Sequence, residues 1–119
     1  MNNKDIEQQI QAKGLTAPRV TPGDIEGNIA SEHYFIAYDA AISGQLICSE
    51  PANSETLKLL TFCVLVLQNR FTVTGESACA SPENFDAEIG RKIARQNAVA
   101  KIWPLMGYAL KERLSGDGK

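Results

Sequence analysis

The stretch Thr61–Thr74, TFCVLVLQNRFTVT, decides the fold. Its first part, Thr61–Leu67, is rich in β-branched and apolar residues and predicts a strand. Its second part, Phe71–Gly75, alternates apolar and polar side chains, which predicts a strand with one buried face. We therefore expect a β-hairpin that turns at Gln68–Arg70. This turn lacks glycine, so we expect Asn69 to supply any positive φ angle, which asparagine tolerates better than most residues.

The first strand of the hairpin is apolar on both faces. Phe62, Val64 and Val66 point to one side, and the intervening residues, which are also apolar, point to the other. A strand with two apolar faces must be covered on both sides. We expect the second cover to come either from Tyr34–Phe35 with the N-terminal helices or from a second subunit, and the latter predicts a homo-oligomer.

A long helix is predicted after the hairpin, at about 82–114. Ser81-Pro82-Glu83 is typical of a helix start, because serine caps the end, proline suits the first position and glutamate complements the positive end. The helix would be roughly 50 Å long, which overhangs a core of this size. Pro104 lies inside it, and we expect a kink or break there. We expect its inward stripe to be Phe85, Ile89, Ile93, Gln96, Ala100, Trp103, Leu110 and Leu114.

Short helices are predicted before the hairpin. Asn3–Lys13 has isoleucines four residues apart and Gly14 as a stop. Residues 1–17 and 115–119 are expected to be flexible tails of a single domain that spans residues 1–119. The fold class is therefore α+β, with a small antiparallel sheet built on the hairpin at about 61–75, short N-terminal helices and the long C-terminal helix.

A second helix start lies at Thr21–Asp24, where threonine can cap, proline follows and aspartate comes three residues after the cap. We expect this helix to end near Glu32. A helix continued through Ile36 and a short strand at His33–Tyr38 are the alternatives. Ala40–Glu55 contains glycine, proline and asparagine and is predicted to be a loop.

The composition excludes several classes of protein. The chain has 119 residues, of which 44% are hydrophobic and 22% charged, with a net charge of −2. This balance of hydrophobic and charged residues argues against a disordered chain. The mildly acidic net charge argues against binding to a nucleic acid polymer or to an anionic membrane. The longest apolar run, Leu57–Leu67, is about half the length of a membrane span. Met1–Lys13 lacks the apolar core of a signal peptide, so we expect a cytoplasmic protein.

Three cysteines, Cys48, Cys63 and Cys79, fit that setting. Their number is odd and their spacing matches no metal knuckle, so we expect reduced thiols, with Cys63 in the core. No pair of ligand residues has metal spacing, and no glycine-rich loop could hold a phosphate. We expect no metal and no cofactor.

The sequence gives little support for an enzymatic function. Gly75–Cys79 approaches the GxSxG motif of serine hydrolases, but its last position is cysteine. The single histidine, His33, precedes the serine, and the chain is too short for that hydrolase fold. No nucleophile, base and orienting group can be named together, so we expect no enzymatic activity.

The cationic face of the long helix is the remaining candidate site. Its arginines lie one turn apart and can fork onto phosphate oxygens, while a neighbouring ring can stack on a base. The alternative is a solvated face held by pairs such as Glu88 with Lys92 or Arg91. Trp103 and Tyr108 are expected to be packing residues. The candidate ligand-binding residues are Arg91, Arg95, Asn84, Phe85, Asn97 and Lys92.

Three stretches carry a resemblance to a known family: NRFTVTGESACASPENFDAEIGRKIARQNAVAKIWPLMGY (Asn69–Tyr108), PRVTPGDIEGNIASEHYF (Pro18–Phe35) and LLTFCVLVLQN (Leu59–Asn69). The chain resembles small tailed-phage and prophage proteins labelled gp-forty-nine or gp-sixty-six like. The resemblance implies a phage origin, the cytoplasm of the infected bacterium and a role outside replication and capsid assembly. The family pattern usually has Asn-Gly in the hairpin turn, where this chain has Arg70.

The overall plan is also similar to that of phage proteins that inhibit Thoeris defence. Those proteins combine a small β unit with a long helix, oligomerise, and act as sponges that bind cyclic nucleotide signals. That resemblance implies a non-enzymatic anti-defence protein whose partner is a small phosphate-bearing ligand of the cyclic nucleotide or cyclic ADP-ribose type. A phage inhibitor or adaptor that docks on a host protein through the long helix is the first alternative, and a small enzyme is the second.

Overall fold

The computed structural model describes residues 3–43 and 54–117. In this part of the chain, helices pack on a three-stranded antiparallel sheet. The strands lie in the order β1-β2-β3. The α+β fold class predicted from the sequence is confirmed. The elements are α1 (Asn3–Ala12), α2 (Pro22–Gly27), β1 (Ile29–Ile36), α3 (Ala37–Ile42), α4 (Ser54–Leu57), β2 (Leu60–Leu67), β3 (Thr72–Ala78), a 3-10 turn (Pro82–Asn84) and α5 (Ala87–Asp117).

Both N-terminal helices begin where the sequence predicts them. Gly14, with a φ angle of 67°, follows the end of α1. At α2, the Thr21 hydroxyl accepts a hydrogen bond from the Asp24 backbone at 3.1 Å, and the Asp24 carboxylate accepts one from the Thr21 backbone at 3.0 Å. This is a capping box. The flexibility of the tails stays a prediction.

The expected end of the second helix, near Glu32, is wrong. The helix ends at Gly27, and the chain continues as β1, so the strand alternative is correct, although it begins earlier than predicted. The pairing with β2 decides the conformation here, because it satisfies a full row of backbone groups. The predicted loop Ala40–Glu55 is also partly helical, since α3 ends at Ile42 and α4 begins at Ser54; residues 44–53 lie outside the described part.

The hairpin forms as predicted and turns at Gln68–Arg70, but the residue expected to have the positive φ angle is wrong. Arg70, not Asn69, has the positive φ angle, at 76°. The Asn69 side chain instead accepts a hydrogen bond from the Phe71 backbone at 2.9 Å. Glycine is the residue that adopts this angle without strain, so Arg70 holds the turn at a conformational cost.

The helix predicted from Ser81 begins later, at Ala87. The Ser81 side chain makes no capping bond, and Phe85 has an extended backbone with a ψ angle of 130°. Asp86 caps α5 instead, since its carboxylate accepts a hydrogen bond from the Ile89 backbone at 3.0 Å. The expected break at Pro104 is absent, because the helix continues through this residue to Asp117.

The face of α5 that packs on the sheet is not the predicted apolar stripe. Ile89 is 56% exposed and Ile93 is 41% exposed, whereas small residues of the helix are fully buried. The helix lies so close to the sheet that small side chains fit between them best. The core consists of Ile25, Cys63, Leu65, Leu67, Val73, Ala94, Ala98 and Ile102.

The two faces of β2 differ in their cover. Cys63, Leu65 and Leu67 face α5 and are buried, as expected for Cys63. On the other face, Phe35 stacks on Phe62 with ring centroids 5.2 Å apart. Tyr34–Phe35 lies in β1 of the same sheet and Phe35 is 40% exposed, so this segment does not cover the face as predicted, and a second subunit stays a prediction. Cys63 and Cys79 are free thiols, and Cys48 lies outside the described residues.

Candidate functional site

Arg95, one of the predicted ligand residues, is held in a network of ion pairs. Its guanidinium donates to Glu26 Oε1 at 2.7 Å and to Glu32 Oε1 at 3.0 Å. Its side chain is 28% exposed. Hydrogen bonds from Arg95, and then from Tyr34, lower the pKa of the Glu32 carboxyl, and the two carboxylates raise the pKa of Arg95. Arg95 therefore joins α5 to α2 and to β1, and its donors are already occupied.

Tyr34 extends this network toward the core. Its hydroxyl donates to Glu32 Oε1 at 2.7 Å. Burial, and then the hydrogen bond to Glu32, raise the pKa of Tyr34. The neighbouring residue across the strand is Cys63, whose thiol pKa is raised mainly by burial. The raised pKa values keep the Tyr34 hydroxyl and the Cys63 thiol protonated at neutral pH.

Two further candidates also have partners within the protein. Lys92 lies 3.4 Å from Glu88 one turn earlier, which is the solvated pair that the sequence offered as the alternative. Asn97 donates through its amide to the Glu76 carbonyl at 2.7 Å and thereby joins α5 to the outer edge of β3. The structure therefore does not bring all six candidates together.

Arg91 is placed differently. It is exposed, and no ion pair to it is found within residues 3–43 and 54–117. It lines a cavity of about 180 Å³, here called the Arg91 cavity, together with Tyr34, Phe35, Ile36, Asp39, Thr61 and Ala87. Because Ala87 is the first residue of α5, the positive end of a 31-residue helix lies at this cavity.

Phe85 lines the neighbouring cavity of about 410 Å³, here called the Phe85 cavity. Its wall is mostly apolar and includes a second ring, that of Tyr38, over which the Lys58 ammonium lies at 4.7 Å. Lys58 also pairs with Glu55 at 3.0 Å. The other lining residues are Ile36, Asp39, Leu59 and Pro82.

The two cavities adjoin each other, because Ile36 and Asp39 line both. Phe85 and Arg91, which the sequence placed in one site, therefore open into one composite cleft. Asn84 lines a third cavity with Ile89 and Ile93, and this cavity adjoins the Phe85 cavity because Leu59 and Phe85 line both. The cleft brings together aromatic rings, the Arg91 guanidinium and the Asp39 carboxylate, a combination of apolar surface and a few polar groups that suits a small ligand.

Sequence reasoning missed three residues of the cavity walls, Tyr38, Asp39 and Thr61. Tyr38 and Asp39 lie in α3, and Thr61 lies in β2 with its side chain against Gly90. Thr61 is 2% exposed, and its Oγ1 atom has no hydrogen-bond partner among the described residues. A helical reading of the apolar spacing in Ala37–Ile42 would have found the first two.

The serine hydrolase interpretation has no geometric support in the described part of the chain. His33 pairs with Val64 on the open face of the sheet and contacts Ser31 at 3.0 Å. Ser77 pairs with Thr61 on the face toward α5. The two side chains therefore point to opposite sides of the sheet.

The comparisons with known proteins identify a family. The model of the Phage protein (N4 Gp49/phage Sf6 gene 66) family matches residues 20–114. The chain belongs to this family. The match spans α2 through most of α5 and so includes both cavities. No curated protein and no solved structure matches the chain.

Two further searches of the described residues gave negative results. None of the helices among residues 3–43 and 54–117 has the length and apolar character required to cross a membrane. Within the same residues, no group of three or more histidine, cysteine, aspartate or glutamate side chains is placed to hold a metal ion.

Proposed function

We propose that this member of the phage family is a non-enzymatic anti-defence protein that binds and sequesters a small phosphate-bearing host signal. The ligand class is that of cyclic nucleotides and cyclic ADP-ribose isomers, and the setting is the cytoplasm of the infected bacterium. The observation that carries the proposal is the shared wall of the two cavities, which joins Phe85 and Arg91 through Ile36 and Asp39.

The chemistry of the Arg91 cavity suits a phosphate. A guanidinium without a protein carboxylate partner can fork onto two phosphate oxygens. The helix end at Ala87 adds a partial positive charge on the same side, which the capping Asp86 carboxylate offsets in part by accepting the Ile89 N–H. Arg95, by contrast, would have to give up Glu26 and Glu32 before it could bind a ligand. Of the two arginines, only Arg91 is therefore proposed to bind the phosphate.

The chemistry of the Phe85 cavity suits the remainder of a nucleotide. The rings of Phe85 and Tyr38 offer faces on which a base can stack. The Asp39 carboxylate, at the boundary of the two cavities, accepts hydrogen bonds and would meet hydroxyl groups of a sugar better than a second phosphate. The larger cavity, at about 410 Å³, falls in the range of small-molecule pockets, which is about 300–1,000 Å³.

Sequestration fits this cleft better than catalysis. Among the described residues, neither cavity has histidine or cysteine in its wall, so no nucleophile stands next to such a base there. A protein without such groups can still inactivate a signal by lowering its free concentration. We propose that it does so as a homo-oligomer.

Isothermal titration calorimetry of the full chain tests this function. The titrants are cyclic ADP-ribose isomers and cyclic di- and trinucleotides, each recovered afterwards and analysed by mass. We expect saturable heat with at least one titrant and recovery of that titrant unchanged. Absence of heat with all of them would refute the ligand class, and a converted product would refute sequestration.

A second candidate function is docking on a host protein. It is favoured by the distal half of α5, where Tyr108 is 72% exposed and Leu114 is 42% exposed. Affinity purification from host lysate with Tyr108→Ala as the control variant distinguishes the two functions. A stoichiometric host protein that is lost with this variant supports docking, and its absence from both samples argues against it.

A further inference from the structure

The Arg91 cavity and the Phe85 cavity continue into a third cavity, here called the Asn84 cavity. It has a volume of about 240 Å³ and shares Phe85 with the Phe85 cavity. Phe85 therefore belongs to the walls of two adjoining cavities, with Tyr38 in the wall of one and Ile89 in the wall of the other. The composite cleft thus offers two places for a flat apolar group, one on each side of this contact.

The walls of these two cavities suit two bases. In the Phe85 cavity, the rings of Phe85 and Tyr38 offer faces for stacking. In the Asn84 cavity, the aliphatic side chains of Ile89 and Ile93 lie beside the exposed Asn84. Because a carboxamide both donates and accepts hydrogen bonds, Asn84 can bind the edge of a base such as adenine. A ligand with a single base would leave one of the two cavities to water.

The cleft also has cations in two different cavities. Arg91 lines the Arg91 cavity, and Lys58 lines the Phe85 cavity. The Lys58 ammonium lies 4.7 Å from the centre of the Tyr38 ring, a cation–π contact that holds it at the cavity wall. Two cations in separate cavities suit two phosphate groups that are separate in the ligand, since each cation can bind one of them.

The ion pair of Lys58 does not prevent it from binding a ligand. Lys58 pairs with Glu55 at 3.0 Å, but the two side chains are 46% and 78% exposed. An ion pair this exposed contributes little, because water solvates both charges well. Lys58 differs in this respect from Arg95, which is 28% exposed and pairs with two carboxylates. When Lys58 turns to a phosphate, Glu55 keeps its contact with water.

We propose that the ligand of this cleft is a cyclic dinucleotide. One base lies in the Phe85 cavity and the other in the Asn84 cavity. Arg91 binds one of its two phosphodiester groups, and Lys58 binds the other. This inference deepens the proposed function, on which it rests, by selecting one ligand class among those named there.

The other ligand classes match the cleft less well. A cyclic ADP-ribose isomer carries one base and a single pyrophosphate, so it would leave one base cavity and one cation without a partner. A cyclic mononucleotide, with one base and one phosphate, would do the same. A cyclic trinucleotide has one base more than the cleft can hold in these two cavities.

The position of Asp39 agrees with this ligand. Asp39 lines both the Arg91 cavity and the Phe85 cavity, so it lies between the places proposed for a phosphate and for a base. In a cyclic dinucleotide, a ribose connects each base to the phosphates. An ionised carboxylate only accepts hydrogen bonds, and a ribose hydroxyl is the donor that the ligand brings to this position.

Isothermal titration calorimetry of the full chain tests the ligand class. The titrants are cyclic di-AMP and cyclic di-GMP, with cyclic ADP-ribose and 3′,5′-cyclic AMP as ligands that have a single base. The tighter of the two dinucleotides should bind at least about tenfold more tightly than either single-base ligand. The inference is overturned if a single-base ligand binds as tightly as both dinucleotides or more tightly.

Variants of the cleft test the two new contacts. Lys58→Ala and Asn84→Ala should each weaken binding of the dinucleotide at least about tenfold. Lys111→Ala is the control and should bind as wild type, because Lys111 is exposed on α5 and is not among the described residues that line the three cavities. Circular dichroism establishes that each variant is folded. Wild-type affinity for the dinucleotide in folded Lys58→Ala would overturn the inference.

The same titrations separate the failure of this inference from the failure of the proposed function. If cyclic ADP-ribose binds most tightly and is recovered unchanged, the assignment of a dinucleotide is wrong and sequestration of a host signal still holds. If no cyclic nucleotide or cyclic ADP-ribose isomer gives heat, the proposed function is wrong, and this inference fails with it.

Discussion

Gly75 of β3 lies directly beneath Ala98 of α5. A Cβ atom placed on Gly75 would lie 2.9 Å from Ala98 Cα and would overlap the Ala98 backbone nitrogen and the Ala94 carbonyl oxygen. Since these are backbone atoms, they cannot move aside without shifting the helix. This close approach explains why the buried face of α5 contains small residues, and it fixes the height of the helix that contributes Ala87 and Arg91 to the Arg91 cavity.

Replacement of Gly75 with alanine should therefore be severely destabilising. We expect Gly75→Ala to lower the free energy of unfolding by at least about 3 kcal/mol, because the overlap is with backbone and not with a flexible side chain. Urea denaturation followed by circular dichroism measures it. Gly107→Ala is the control, since no atom lies within 4 Å of a Cβ there, and it should stabilise the helix by about 0.5–1 kcal/mol. Equal effects at both positions would contradict the close approach.

Replacement of Arg95 and replacement of Arg91 should differ in their effect on stability. Arg95→Ala should lower the free energy of unfolding by about 1–3 kcal/mol, because it leaves Glu26 and Glu32 without their charged partner. Arg91→Ala should change it by less than about 0.5 kcal/mol, since no partner is lost. Thermal and urea denaturation of both variants provide the comparison. If Arg91→Ala were the more damaging change, the assignment of structural and binding roles would be reversed.

The Glu32–Arg95 pair should make stability depend on pH. The pKa of Glu32 in the folded protein is lowered from 4.5, chiefly by Arg95 and then by Tyr34. Its contribution is therefore fully present above pH 4.5 and is lost as the pH falls through the lowered value. Denaturation of wild type and Glu32→Gln from about pH 7 to 3 measures this. The difference between the two proteins should shrink below pH 4.5; a difference that grows there would show the opposite sign of the pKa shift.

Sequence patterns predicted the local elements of this fold well. Thr21 and Asp24 form the expected cap, and the alternation in β3 marks its buried face correctly, with Val73 buried. Both depend on interactions between residues that are near in sequence or in one strand. The motif Ser81-Pro82 led to a predicted helix start that is too early, because the same motif also starts the short 3-10 turn that precedes α5.

The inward face of α5 could not be predicted from hydrophobicity, because Gly90, Ala94 and Ala98 are only weakly hydrophobic. Their burial follows from the approach of Gly75, which is a contact between elements distant in sequence. The candidate site was limited in the same way. Phe85 and Arg91 were identified from residue type, but Asp39 joins their cavities only through tertiary packing. The ion pairs of Arg95 with carboxylates of α2 and β1 were likewise not predictable, because these elements are distant from α5 in sequence.

The most direct measurement of the central claim is the affinity of one signal molecule for matched variants of the cleft. The ligand that gives the strongest calorimetric signal is titrated into wild type, Phe85→Ala, Arg91→Ala and the charge-matched control Arg113→Ala. Phe85→Ala and Arg91→Ala should each weaken binding at least about tenfold, whereas Arg113→Ala should leave it unchanged. Wild-type affinity in folded Phe85→Ala or Arg91→Ala would contradict the claim that the two residues share one ligand site.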